Sequence, residues 1–452
     1  MSRYGRRKPP RIVIAGAGIG GLTTALSLHA AGLDDVVILE SCPKMRAVGA
    51  GINLQPAAVR ELTELGLAQA LDEVAVATTR LQYHHRYGGL IWSEARGRAA
   101  GYRWPQYSVH RARLQDLLLA AVRQRLGPDV LLTGRRLVRY EQDRIPGGPR
   151  VRAYVAGESE PFGCDLLIGA DGINSTVRAA MYPDEGPPLH NGISMWRGVT
   201  QGPPFLDGRT MVILGCNSRV KAVVYAVSRP DRAGRSLLNW VVESRTGTGL
   251  GTGTDPGSGT APGTGSDAER YAAEPPAGAD WDRTVPPEDV LAHIDGWRSD
   301  FLDLHGIVAA APRIGLYPMI DRDPLPSWTD GRAVLLGDAA HPVYPTGSNG
   351  ASQAVVDARV LAYELARHDV DEALSRYEAA RRPHTTSLLA AHRRLEPDPL
   401  LRQVEALAPN GFLDIRHVLP ADRLDGIKSC TRQVTGTDAA ELNARTSWSV
   451  LV

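Results

Sequence analysis

Apolar residues along the chain change spacing repeatedly, and each change marks an element. Ile12–Ala15 is a short run rich in β-branched side chains and bounded by glycine, which predicts a buried parallel strand. Helical spacing follows over Leu22–Ala31 and stops at Gly32, a residue suited to close a helix C-terminus. Val36–Leu39 reads as a second strand. A helical stretch spans Pro56–Leu71, and residues 76–99 read as strands around a Gly88-Gly89 turn. Ser108–Gly127 predicts a helix with Leu114, Leu117, Leu118, Ala121 and Val122 on one face. Cys164–Gly172 predicts another buried strand that ends in a turn.

Beyond residue 184 the pattern shifts to strands. The runs ISMWRGVT, TMVILG, KAVVYAVS and SLLNWVVE fill residues 184–245 with few helical signals, which predicts the sheet of a second domain. Thr246–Asp267 is low in complexity and nearly free of large apolar residues, so it predicts a flexible inserted loop. It has no side chains with which to close on a substrate, which argues against a lid. Glu288–Val308 reads as helical, Arg332–His368 as strand, loop and helix, and Val370 to about Leu395 as a further helix. Residues 396–452 form a partly helical tail to which the pattern assigns no role.

Composition narrows the partners. The 452 residues suffice for two or three domains. The net charge is +1, and the 51 basic residues are scattered, so the chain lacks the footprint of a nucleic-acid-binding protein. Cys42, Cys164, Cys216 and Cys430 lie far apart, with no C-x-x-C or metal-ligand spacing. That predicts reduced thiols, a cytoplasmic setting and no metal, and it removes the paired cysteines a flavin disulfide reductase needs. Ile12–Leu33 has no acidic residue, lysine or arginine and imitates a membrane segment in length, but four glycines early in the run and the acid-ended strand after it predict no membrane span.

The chemistry starts at the first turn. Gly16, Gly18 and Gly21 fill the pattern G-x-G-x-x-G between a strand and a helix. The first glycine makes the tight turn, the second lets a pyrophosphate approach the backbone, and the third lets helix and strand pack closely. Glu40 ends the second strand, where an acid accepts hydrogen bonds from ribose hydroxyls. Two further motifs follow, DLLIGADGINSTVR over Asp165–Arg178 and GDAAHP over Gly337–Pro342, the latter continuing into YPTGSNG over Tyr344–Gly350.

The three motifs, in this order and spacing, resemble the single-component flavoprotein aromatic hydroxylases, the class typified by p-hydroxybenzoate hydroxylase, over about Arg11–Leu395. The segments GINLQPAAV, YSVHR, GISMWRGVT, YPMIDRDPLPSW and YPTGSNGASQA are most similar to the phenazine and salicylate branch. The resemblance implies an α/β fold in which a discontinuous doubly wound, Rossmann-like FAD-binding domain (1–75, 100–183 and 312–395) interleaves with a mostly β substrate domain (76–99 and 184–311). A helical C-terminal region completes it. It also implies bound FAD, NADH or NADPH as co-substrate, O2, and a monomer or homodimer. In this family reduced FAD takes up oxygen at its C4a carbon and the resulting hydroperoxide hydroxylates an activated ring, here an aromatic or heteroaromatic acid, with decarboxylation as one variant.

Residue by residue, the resemblance places Asp338 and Arg111 on the ribityl chain or pyrophosphate, and Leu137 at the adenine. Asp171 belongs to a turn that supports FAD and the visiting nicotinamide, or it simply organises that turn and pairs with Arg178. Gly347, Asn349, Gly350 and Ala351 open a helix whose N-terminus favours the negative charge of reduced flavin, although glycines there also serve plain turn-making. Pro345 fixes the loop over the flavin ring, and His341 fits turn packing better than acid–base work. Trp196, Arg197, Tyr225 and Tyr317 lie on strands expected to line the substrate. Arg197 suits a carboxylate or a structural ion pair. Tyr225 suits a substrate hydroxyl, its deprotonation, or a core site, and Trp196 also reads as core. The rival readings are a non-redox flavin-binding protein and another flavin oxygenase or halogenase.

Overall fold

The computed structural model describes residues 9–45, 50–143, 150–245, 283–345, 347, 349–394, 398–424 and 438–450. The Gly/Thr-rich loop at 246–267, Thr346 and Ser348 lie outside these. One sheet has six strands in the spatial order 329–330, 333–335, 166–169, 12–15, 36–40, 131–133. All its pairings are parallel except that of the two-residue edge strand Thr329–Asp330. Its central strand, Ile12–Ala15, is wholly buried, as a continuous apolar run demands when both faces are covered. The helix Ile19–Ala30 leads away from it and packs on the helices Gly350–Arg367 and Arg111–Leu126. A small antiparallel sheet of Leu137–Gln142, Val151–Val155 and Phe162–Cys164 adds buried Val151, Ala153 and Val155 to the same core.

The first helix ends as the sequence predicts. Gly32 takes φ 76°, its N–H reaches His29 O at 2.9 Å, and the N–H of Leu33 reaches Leu28 O at 2.9 Å. Those two bonds satisfy the last carbonyls of the helix. Elsewhere the boundaries shift. Pro56–Leu71 is two helices, Pro56–Glu64 and Ala68–Val74, because Gly66 turns the chain at φ 76°. Ser108–His110 belongs to a strand, Gln106–His110, and the helix starts only at Arg111. Glu288–Val308 is not one helix. Only Pro287–Leu291 and Leu304–Ala309 are helical, and Gly296 at φ 71° lies between them.

The second sheet has seven strands in the order 314–321, 189–202, 236–245, 220–226, 210–215, 80–84, 90–95. Strand alternation gives it two unlike faces. Trp196, Ala222, Val224, Leu238, Trp240 and Val242 pack against Val290, Leu304 and Val308 from the short helices and Ile294 between them. Met195, Arg197, Val223, Tyr225, Asn239 and Val241 lie on the opposite face, toward the first sheet. A three-stranded sheet of Gly51–Leu54, Gln106–His110 and Val76–Thr78 sits between the two units. No helix among the described residues is long and apolar enough to cross a membrane.

The back face carries a packing constraint. Trp240 is fully buried, its Nε1 donates to Thr200 Oγ1 at 3.0 Å, and its ring lies against Gly198 on the paired strand. A Cβ at 198 would run into that ring. Gly198→Ala should therefore lower stability by about 1–3 kcal/mol, read as a lower urea midpoint with an unchanged slope.

Candidate functional site

The glycine turn is built as its pattern requires at two positions. Gly16 has φ 101°, and a Cβ there would lie 2.5 Å from Ala170 O. A Cβ on Gly21 would strike Gly16 O. Gly18 differs. Its φ of −70° suits any residue, and nothing of the protein lies within 4 Å of a Cβ placed there. The chain itself does not need glycine at 18, so the space serves something other than protein. Glu40 reaches back under the turn, one carboxylate oxygen accepting from Ala17 N at 2.9 Å and the other from Cys42 N at 2.8 Å. Gln115, which carried no motif, donates to Ala17 O at 2.9 Å and ties the turn to the helix Arg111–Leu126.

The GDAA turn hangs on a buried carboxylate. Asp357 Oδ2 accepts from Gly337 N at 3.0 Å and meets His341 Nε2 at 2.6 Å, while Oδ1 accepts from Arg381 Nε at 2.7 Å. Burial works to raise the Asp357 pKa, but His341 and Arg381 outweigh it and bring it down to about 2. His341 stacks on Trp328 and is thus part of the turn's scaffold. Arg178 holds the same turn from the other side, donating to Ala339 O and Ala340 O at 3.1 and 2.9 Å. Its ion pair is with Glu185, not with Asp171. Asp171 instead caps the next helix, accepting from Thr176 N at 2.7 Å.

Asp338 projects from this turn. Its side chain opens onto a cleft deep in the molecule, and desolvation raises its carboxyl pKa, partly offset by His341 and Arg111. Among the described residues no donor meets that carboxylate, and the exposed Arg111 at the start of its helix has no acidic partner either. Next to Asp338, whose Oδ1 lies 3.5 Å from a Cβ placed on Gly350, begins the helix Gly350–Arg367. No side chain caps it, because the Asn349 amide turns to His392 Nε2 at 3.2 Å. Its first turn, Gly350 and Ala351 included, presents backbone donors and a positive dipole end. Gly347, at φ 66°, is held by Gln55 Nε2 on its carbonyl at 2.8 Å, and Gln55 N reaches Ser352 Oγ at 2.9 Å. Pro345 is exposed beside it.

These features fit FAD. The room at Gly18, the unpartnered Asp338 carboxylate and Arg111, and the uncapped helix suit its pyrophosphate, polyol and electron-rich ring. Leu137 lies on the adjoining small sheet, paired with Val155, and its carbonyl accepts from Thr176 Oγ1 at 3.3 Å.

The expected substrate residues divide. Arg197 is half-buried on the face toward the cleft. Its Nε is buried without a hydrogen bond, and no carboxylate pairs with it among the described residues. Tyr317 stands beside it. Gly315, the residue paired with Arg197, leaves room for the Tyr317 ring, whose hydroxyl would lie 2.5 Å from a Cβ there. Trp196 does not belong to this group. Alternation turns it to the opposite face, 7% exposed, against His293. Tyr225 is on the right face, but its hydroxyl donates to Gly51 O at 2.9 Å, and burial raises its pKa. It locks the sheets together and has no free hydroxyl for a substrate proton.

Three comparisons bear on this site. The family model described as FAD binding domain matches residues 10–200 and 320–392. Phenazine 1,6-dicarboxylic acid hydroxylase PhzS of Lysobacter antibioticus is 45% identical over 387 residues, covering 84% of this chain and 89% of that protein. Salicylate hydroxylase of Pseudomonas putida is 29% identical over 411 residues, covering 85% and 84%. The crystal structure of Klebsiella pneumoniae HpxO with FAD and uric acid shares the fold at TM-score 0.68 and 21% identity, covering 93% of this chain and 96% of that one.

Two expectations follow for the cofactor side. Gly18→Ala should fold as stably as the parent without FAD, yet bind FAD roughly tenfold more weakly, measured by flavin fluorescence titration. Asp357→Asn strands the buried His341 and Arg381 and should cost about 3–5 kcal/mol of stability. The Asp357 contribution is complete above its unfolded value of 3.8 and is lost as pH falls through about 2. The variant's denaturation midpoint should therefore fall less steeply than the parent's between those two pH values.

Proposed function

The chain belongs to the FAD-binding-domain family, and from that premise we propose that it is an NAD(P)H-consuming monooxygenase acting on an aromatic or heteroaromatic acid. Phenazine carboxylates are its first candidate substrates, because the 45%-identical relative is named for one, and salicylate-type acids are the second. Bound FAD supplies the reactive oxygen once NAD(P)H has reduced it. In the net reaction one atom of O2 enters the ring, the other leaves as water, and NAD(P)H gives two electrons. Attack at a carboxyl-bearing carbon replaces the carboxyl group by hydroxyl and releases carbon dioxide.

The chain's own residues bind, orient and keep water out. Glu40, Arg111 and Asp338 hold the cofactor's polar parts, and the N–H groups of Gly350 and Ala351 favour negative charge on its ring. Asp171, Leu137 and Asn349 support that site from the elements around it. The single observation that carries the acid reading is Arg197, a half-buried guanidinium that no carboxylate among the described residues meets. A desolvated guanidinium calls for a planar anion with two acceptors. Met195, Val223 and Val241 on the same face give the ring an apolar bed, and Tyr317 on the paired strand adds a polar ring beside the anchor.

The test is NADH and NADPH oxidation by the FAD-loaded protein against a panel of phenazine and hydroxybenzoic acids, with product mass and peroxide recorded together. An acid that speeds oxidation and gains one oxygen, or exchanges carboxyl for hydroxyl, supports the reading. Acids that leave the rate unchanged throughout the panel would count against it. Arg197→Ala should raise KM for the acid roughly 10- to 100-fold with a smaller change in kcat, while substrate-free NADH oxidation stays at the parent rate.

A further inference from the structure

The family match ends at residue 392, and the chain beyond it folds back onto the substrate sheet. The helix Asp398–Leu407 directs Leu401 and Val404 into a cluster with Leu81, Tyr83, Met211, Tyr225 and Val227. Leu419 and Leu424 join it, and Leu400 is half-buried against it. The cluster occupies the face of the sheet that bears Arg197. Val223 packs on its edge and also on the neighbouring cluster of Met195, Val241 and Tyr344. Through Val241, Val223 lies across from Arg197 in the strand register. The segment therefore bounds the same face on which the acid anchor stands.

A buried polar latch fixes the helix. Glu405, 6% exposed, accepts from Arg86 Nη1 at 2.5 Å and lies 3.2 Å from His85 Nε2. The Tyr87 N–H donates to His85 Nδ1 at 3.2 Å, so Nε2 is the ring nitrogen on the side of Glu405. Arg86 Nη2 also donates to Pro409 O at 2.7 Å. Glu405 thus ties the helix to the turn between the strands Arg80–His84 and Leu90–Ala95.

We propose that residues 398–424 form a wall of the substrate pocket that sets the size of ring system admitted, with Glu405 as the positioning residue that holds it. The inference rests on the aromatic-acid reading above. The wall comes from outside the matched family segment, so it is where this chain tunes selectivity on a shared catalytic scaffold.

The test uses the full-length FAD-loaded protein, with salicylate as a one-ring and phenazine-1,6-dicarboxylate as a three-ring probe. Dissociation constants come from the flavin absorbance change, and amide hydrogen exchange is followed over 398–407. In the parent, the three-ring acid should slow exchange in that helix. Glu405→Ala should weaken the three-ring acid about tenfold and lower product formed per NADH, with FAD content unchanged. Leu400→Trp should weaken the three-ring acid more than salicylate. Equal losses for both acids, or parent-like binding with exchange unaffected by ligand, would overturn the wall. If neither acid perturbs the parent's flavin, the aromatic-acid reading itself fails and takes the wall with it.

Discussion

One buried carboxylate organises the cofactor side of this protein. Asp357 sits on a helix facing the core and receives Gly337 N–H, His341 and Arg381 together. His341, Arg381 and an amide donor compensate the desolvation of one anion, and that balance keeps it ionised where burial alone would protonate it. The turn so fixed places Asp338 on the cleft, and Arg178 grips two of its carbonyls from the opposite side. For Asp338, His341 and Arg111 offset desolvation only in part and no donor among the described residues meets the carboxylate, which suits a ligand-binding group better than a structural one.

The second constraint is the seam between the three-stranded and the seven-stranded sheet. Gly51 N donates to Asn239 Oδ1 at 2.6 Å, and Gly51 O accepts from Tyr225 at 2.9 Å. A Cβ on Gly51 would sit 2.6 Å from both Asn239 Cβ and Val227 Cγ1. Glycine there lets the backbone of one unit dock directly on side chains of the other. The proposed acid anchor, Arg197, lies next to the seam, and among the described residues no carboxylate meets it, unlike the arginines locked into pairs at Asp321, Glu185 and Asp357.

The C-terminal residues act at two places. Residues 398–424 cover the substrate sheet, and residues 438–450 strap the helix Pro56–Glu64. In the strap, Arg445 pairs with buried Glu61, and Arg60 donates to Leu442 O at 3.0 Å. Burial raises the Glu61 pKa, opposed chiefly by Arg445. Weak periodicity hid both roles in the sequence. A short helix with two buried apolar residues has no long pattern, and its meaning depends on the sheet beneath it.

The sequence by itself determined the glycine turn, the parallel strands around it, the cap at Gly32 and the motif that carries Asp338. Each is a local requirement, written in backbone geometry and in side-chain spacing over a few residues. The glycines also carried the cofactor, since Gly18 has no other reason to be glycine. Asp357 left a faint trace, as an acid within the apolar run AVVDARVLA. The tertiary structure alone decided which side chains meet. Trp196 and Arg197 are neighbours in sequence, yet a strand sends them to opposite faces, and only the layers packed on each side tell those faces apart. For Tyr225 the sequence left a reactive and a core role open, and its bond to Gly51 O, 174 residues away, favours the core role. Contacts over such separations leave no local periodicity, so no reading of spacing along the chain reaches them.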